Sequence, residues 1–159
     1  MMTRDPVLGE LSFSDESGWV GSYTYRFCGR NVTVPMELGG YDGEEIDPIQ
    51  RTAFIRFDER KNELLANAEE AIFNYYSELL PDLREQFGES ADEYAPAISE
   101  KENLAELVTP TSILVKQPLS SDDRIIGLLY DCRWDPSLGL AVKFVNEMID
   151  EVGPQDIVL

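Results

Sequence analysis

Carboxylates are the side chains that could carry chemistry in this chain. Of its 159 residues, 31 are Asp or Glu, 13 are Lys or Arg, and none is His. Imidazole is the commonest general base and metal ligand, so catalytic triads and zinc sites that depend on His are excluded. The net charge of −18 makes nucleic acids and anionic membranes poor partners, because phosphate binding needs clustered Lys and Arg. A basic protein, a basic peptide or a cation suits this charge, unless the charge serves only solubility.

Two acidic segments are the candidate interaction surfaces. Residues 41–47 hold four carboxylates and no basic residue, which indicates a solvated loop; without EF-hand spacing, a weak cation site is the alternative. Residues 82–106 hold eight acidic and two basic residues, and could either dock on a basic partner or form a solvated connector. The residues predicted to meet a basic partner are Asp42, Glu44, Glu45, Asp47, Glu89, Asp92, Glu93 and Tyr94.

A third candidate is the group formed by Asp131, Trp134 and Asp135. Two carboxylates beside a Trp resemble the paired acids of glycoside hydrolases. Strand alternation places Asp131 and Trp134 on opposite faces, however, and an Asp before Pro136 is typical of a turn. Cys132 reads as a small buried apolar residue, since no His can activate it. We therefore predict no catalytic residue, no cofactor and no metal.

Alternation with a period of two predicts strands at both ends of the chain. The predicted strands are 7–13, 19–27, 32–38, 111–116, 124–134, 140–145 and 148–152. Short connections at 28–31 and 146–147 favour hairpins. Pro35 lacks an N–H donor, so its strand is expected at an edge or with a bulge.

Helices are predicted for the middle of the chain. Asp47-Pro48 is a typical helix start, and apolar residues at steps of three and four predict a long helix over 48–80. It is either one helix or two that meet near residues 59–62, and Pro81 is expected to end it or to start a new turn. A short helix over 99–107 is expected to begin with Ser99 as its N-cap and Glu102 completing a capping box.

The order of strands, helices and strands favours an α+β fold in a single domain, 1–159. We expect an antiparallel sheet, built from an N-terminal hairpin and a C-terminal meander, packed on the long central helix (48–80). The sequence shows neither the apolar region of a signal peptide nor an apolar run that could cross a membrane. A cytoplasmic location with both Cys residues reduced is therefore predicted.

The C-terminal segment also resembles the closing segment of a bacterial domain family of unknown function. The pattern is a Gly-Leu-Leu-aromatic strand, Cys-x-Trp-Asp, a turn, Gly-Leu-x-Val-x-Phe and Glu-Val-Gly. It corresponds to residues 127–130, Cys132, Trp134, Asp135, Gly139, Leu140, Val142, Phe144 and 151–153. One departure is Ser137-Leu138-Gly139, which stands where the family often has Glu-His-Gly, so any role of that His is lost.

Domains of this kind are similar in context to immunity proteins that accompany polymorphic bacterial toxins. The resemblance therefore implies a bacterial, non-enzymatic binding protein, and the negative charge implies a basic protein as its partner. Two alternatives remain open: a carboxylate-based or cation-dependent hydrolase, and an accessory structural domain without a dedicated ligand.

Overall fold

The strands of the computed structural model, which describes residues 2–159, form one eight-stranded sheet in strict sequence order. The strands are β1 (Met2–Asp5), β2 (Gly9–Ser14), β3 (Gly18–Phe27), β4 (Arg30–Gly39), β5 (Val108–Val115), β6 (Ile125–Cys132), β7 (Leu140–Val145) and β8 (Met148–Gly153). Neighbouring strands are antiparallel except β4 and β5, which run parallel on either side of the helical segment. The α+β prediction is confirmed, and the parallel pair is a feature that it lacked.

Both predicted hairpins are present, and each turns through two residues; the first turn, at 28–29, is shorter than the predicted connection at 28–31. Cys28 and Gly29 both have positive φ, and so do Asn146 and Glu147. Positive φ at both central residues is the geometry of a type I′ turn, whose twist matches that of the flanking strands. These turns fix the registers of β3 with β4 and of β7 with β8.

The central helical segment is two helices, α1 (Pro48–Glu59) and α2 (Lys61–Phe87), which meet at Arg60. The alternative of two helices is therefore the one that the structure supports. At the break, the Lys61 ammonium group donates to the carbonyl oxygen of Thr24 at 2.9 Å and lies over the ring of Tyr23. A lysine thus occupies a position where an apolar residue would continue the buried stripe.

Pro81 does not end the helix; of the two alternatives, the structure supports the one in which further helical turns follow Pro81, and these turns belong to α2 itself. The position of Pro81 is exposed, and solvent can reach the carbonyl group of Ser77 that loses its hydrogen bond. The apolar stripe continues beyond it through Leu83 and Phe87, which pack against the core. The helix therefore gains from its last turns more than the missing bond costs.

Two further predictions agree only in part with the structure. The short helix after α2 begins at Lys101 and is a 3-10 helix (Lys101–Glu106), with Glu100 rather than Ser99 before it. The N–H of Glu100 donates to the side chain of Asn103, so Glu102 is not the capping partner. Strand β4, which contains Pro35, lies inside the sheet and not at an edge, while the alternative of a bulge agrees with the register shift in its ladder with β3 near Gly39.

The main core lies between the helices and one face of the sheet. Its largest fully buried side chains are Tyr25, Tyr76, Tyr130, Phe57, Phe144, Leu64, Ile72 and Leu128. The opposite face carries a smaller cluster, in which Val158 of the C-terminal segment packs with Leu114, Leu129 and Ala141. Sheets of this kind commonly leave most of one face to solvent.

Candidate functional site at the acidic end of the sheet

Four connections meet at one end of the sheet, because β2, β4, β5 and β7 all end there. They are residues 15–17, 40–47, 116–124 and 146–147. We call this region the acidic end, since it holds nine acidic residues and two basic ones. The acidic residues are Asp15, Glu16, Asp42, Glu44, Glu45, Asp47, Asp122, Asp123 and Glu147.

A crevice opens at this end because the parallel strands β4 and β5 separate. Their ladder consists of Met36 with Ile113 and Glu37 with Leu114. Beyond it, the chain after β4 turns to the helix face and the chain after β5 enters the loop 116–124. Clefts form in this way where the chains that leave the carboxyl ends of neighbouring parallel strands diverge. The crevice has a volume of about 340 Å³.

Gln50 of α1 closes the inner side of the gap. Its side-chain amide donates to the carbonyl oxygens of Leu38 and Val115, both at 2.8 Å, and its own oxygen accepts from the N–H of Asp47. The side chain is only 1% exposed. A buried carbonyl group without a partner is costly, so Gln50 replaces the ladder bonds that the diverging strands cannot make.

The crevice continues into a second cleft that contains Tyr41 and Asp42, and both clefts share Glu16, Gly39 and Gln117. We call the combined surface the end groove. Tyr41 is 72% exposed and Leu119, at the rim of the crevice, is 92% exposed. Two large apolar side chains are thus exposed along the end groove, which also contains the carboxylates of Glu16, Glu37 and Asp42.

Several carboxylates in and beside the end groove make no ion pair. Within residues 2–159, no Lys or Arg lies within 4 Å of the carboxylates of Glu16, Glu37, Asp42, Glu44 or Glu45. Glu147 does have one, since both of its oxygens accept from the guanidinium group of Arg124. Unpaired carboxylates add to one another and give this end a strongly negative potential.

The predicted residues Glu89, Asp92, Glu93 and Tyr94 lie elsewhere, near the far end of α2. Arg84 donates to the carboxylate of Asp92 at 2.8 Å, and Arg133 donates to the main-chain oxygen of Glu93 at 3.3 Å. Tyr94 stacks on Phe87 with 5.4 Å between ring centroids. Arg133 follows the end of β6 that is remote from the acidic end. The two predicted acidic segments therefore do not form one surface.

A family model described as a domain of unknown function, DUF6985, matches residues 7–159. The chain belongs to the DUF6985 family. No curated protein and no solved structure matches the chain significantly. The match spans β2 to β8 and the helices between them, and β1 lies outside it.

The third candidate group of this DUF6985 domain is dispersed. Trp134 is buried, and its ring lies 4.7 Å from that of Tyr76. Asp135 accepts a hydrogen bond from the N–H of Leu138 at 3.1 Å, as turn residues do, while Asp131 is exposed on the strand before it. Trp134 therefore has a packing role and Asp135 a turn role.

The two Cys residues are free, and burial raises the pKa of each thiol to about 12. Nearby carboxylates add to the shift, Glu69 for Cys28 and Asp135 for Cys132. The thiolate is the reactive form, so neither side chain is an activated nucleophile at neutral pH.

Metal-ligand clusters and membrane-spanning helices are both absent from the described part of the chain. Among residues 2–159, no three Asp, Glu or Cys side chains are grouped so that they could hold a metal ion. In the same range, no helix combines the length and the apolar character needed to cross a bilayer.

Sequence reasoning missed the residues that shape the acidic end. Gln50 could have been found in the sequence. It lies three positions before Ala53 and seven before Phe57, so helical spacing places this polar residue on the buried stripe of α1. No sequence pattern indicates the roles of Glu37 and Leu119. Their importance depends on the parallel pairing of β4 and β5, which no local pattern encodes.

Proposed function

We propose that this DUF6985 domain is a non-enzymatic binding protein whose acidic end receives a basic segment of a protein partner. The observation that carries the proposal is the end groove itself. It combines exposed Tyr41 and Leu119 with carboxylates that have no counter-ion. Interfaces typically join an apolar contact area to complementary charge at the rim.

The main effect of complementary charge would be to increase the rate of association. A negatively charged end draws a basic partner into productive encounters, and this attraction weakens as salt is added. Apolar contacts with Tyr41 and Leu119 would then hold the complex, because they become buried only when the partner docks. The acidic residues therefore raise the rate of association, and the two apolar side chains lower the rate of dissociation.

The acidic end is the better of the two predicted surfaces. At the other end, Asp92 already has a counter-ion in Arg84, and Tyr94 already has a stacking partner in Phe87. At the acidic end, Asp42 and Glu44 have no Lys or Arg within 4 Å among residues 2–159, and Glu45 is near Arg51 but forms no ion pair at that distance. Asp47 is the exception in this segment, since its carboxylate accepts from the N–H of Ile49 and caps α1.

The resemblance to domains found beside polymorphic toxins supports one kind of partner. We propose a basic toxin-like protein in the cytosol of a bacterium, held by this domain in an immunity-like complex. Inhibition of such a partner requires occlusion of its basic surface and no chemistry by the domain, which is consistent with the lack of His. Co-expression with a toxin-like product of a neighbouring gene should yield a complex and restore growth.

A direct test is selection of displayed random short peptides against the full chain. We expect the enriched peptides to be basic and to carry apolar residues, and to bind less well at high salt. The variant Asp42→Asn/Glu44→Gln/Glu45→Gln should weaken their binding by about tenfold. The matched control, Glu89→Gln/Asp92→Asn/Glu93→Gln, removes the same charge at the other end and should change binding less than about twofold.

Two outcomes would contradict the proposal. Enrichment of neutral or acidic peptides would remove the role of the negative charge. Equal losses in both triple variants would show that the total charge matters and that the acidic end has no special part.

A further inference from the structure

We infer that the crevice between β4 and β5 is the recognition pocket of the acidic end, and that it takes an extended segment in which an Arg or Lys lies one or two positions from an apolar residue. The inference rests on the proposed function and specifies which residues the bound segment of the partner contains. Its basis is that the two walls of the crevice differ in chemistry.

One wall of the crevice is acidic. Glu37 projects from β4, on the sheet face opposite the helices, because its neighbours Met36 and Leu38 are buried in the main core. Glu16, from the β2–β3 connection, lines the same crevice. Neither carboxylate has a counter-ion among residues 2–159. Glu37 is half-buried in a strand, so it offers a fixed and partly desolvated charge to a cation.

The other wall is mainly apolar. Leu114 of β5 is directly beside Glu37 in the ladder, and Leu119 stands at the rim. Strands in a ladder are about 4.8 Å apart, so Glu37 lies one strand spacing from Leu114, which is 9% exposed, and the exposed Leu119 supplies most of the apolar surface of this wall. Lys116 follows on this wall and would repel a second cation there. The two walls therefore favour one cationic and one apolar side chain that are close together in sequence.

The size and floor of the crevice fit side chains better than a folded element. Its volume of about 340 Å³ is at the lower limit of ligand sites, which suits one or two side chains of an extended segment. The floor is held by Gln50, whose bonds to both strands keep the walls at a fixed separation. A preformed pocket lowers the ordering cost of binding, so the partner segment alone must become ordered.

The test uses peptides obtained by the display selection, measured against purified full-length variants. Glu37→Gln should weaken binding by about tenfold, because it removes the charge that faces the cation. Leu119→Ser should weaken it by about fivefold through lost apolar contact. Matched controls are Glu78→Gln on the exposed face of α2 and Leu138→Ser at the opposite end of the sheet, and these should bind like the native chain. Unchanged thermal unfolding would show that each variant is folded.

In the selected peptides themselves, the Arg or Lys and the apolar residue should recur at a spacing of one or two. Peptides of the same composition in which the basic and the apolar residue are further apart should lose most of their affinity. The inference fails if this move has no effect, or if the Glu37 and Leu119 variants bind as well as their controls. If the Asp42/Glu44/Glu45 variant still loses binding in that case, only the pocket is wrong and the proposed function stands.

Discussion

The side-chain nitrogen of Gln50 lies 2.8 Å from the carbonyl oxygen of Val115, a residue 65 positions further along the chain. The same nitrogen donates to the carbonyl oxygen of Leu38. One amide thus joins both parallel strands to the first turn of α1, at the point where the strands separate. The N-terminal and C-terminal halves of the sheet are connected by a ladder of only two residue pairs. The two hydrogen bonds of Gln50 therefore contribute more to stability here than they would within a longer ladder.

Gln50→Ala is expected to destabilise the chain by about 3 kcal/mol, because two buried carbonyl groups lose their donor and a small cavity forms. Denaturant unfolding followed by circular dichroism measures this. Gln86→Ala is the matched control, since Gln86 is exposed on α2 and should cost less than about 0.5 kcal/mol. Equal effects of the two substitutions would mean that Gln50 does not hold the strands.

The ion pair between Asp5 and Arg51 should make stability depend on pH at the acidic limit. Burial by itself would raise the pKa of Asp5, but hydrogen bonds from Arg51 and from the N–H groups of Leu8 and Val7 hold it below 3.8. A lowered folded-state pKa gives stability that is complete above 3.8 and is lost as the pH falls through the folded value. Arg51 is about one-third exposed, so solvent screens part of the attraction.

Asp5→Asn is therefore expected to cost about 2 kcal/mol at neutral pH. The difference between native and variant chains should stay constant down to about pH 5 and shrink below pH 3.8. Urea unfolding over a pH series measures both curves. Asp15→Asn, at an exposed turn position, serves as the control and should leave the native pH dependence unchanged. A constant difference at all pH values would contradict the role of ionised Asp5.

The two acids that first suggested a hydrolase should behave differently on substitution. Asp135→Ala should cost about 1 kcal/mol, because the N–H of Leu138 loses its acceptor in the turn. Asp131→Ala should stay within about 0.5 kcal/mol, because its side chain is exposed and makes no ion pair among residues 2–159. Thermal unfolding of both variants measures the contrast. Equal stability of the two would contradict the assignment of Asp135 to the turn.

Local patterns predicted most of this fold. Strand-like segments in the sequence located seven of the eight strands, and the two hairpins followed from short connections at 28–31 and 146–147. Strand β1 was missed, since four residues with three polar or charged side chains give no alternating signal. Pro81 left two alternatives open in the sequence, because the cost of a proline in a helix depends on its exposure and on the apolar residues beyond it.

The candidate site was only partly predictable for a different reason. The sequence alone shows that residues 42–47 are acidic. The crevice beside them, however, depends on the pairing of Glu37 with Leu114. Such long-range pairing is selected by the packing of the whole chain and leaves no periodic trace. The same limit explains why two acidic segments that looked equivalent in sequence lie at opposite ends of the sheet.

The C-terminal segment should be held in place by the absence of a side chain at Gly127. A Cβ atom there would lie 2.9 Å from the Cβ of Val158, which covers the open face of the sheet beside Leu129. Gly127→Ala is therefore expected to destabilise the chain by about 2 kcal/mol through overpacking. Val158→Ala alone should cost about 2 kcal/mol through lost burial.

Combining the two substitutions separates direct contact from independent effects. If Gly127 is small in order to admit Val158, the double variant should be more stable than the sum of the single losses predicts, by about 1 kcal/mol. The new methyl group then occupies space that the shortened side chain has left. Denaturant unfolding of the four chains completes the cycle. Strict additivity would mean that Gly127 is required for the strand itself and not for the segment that packs on it.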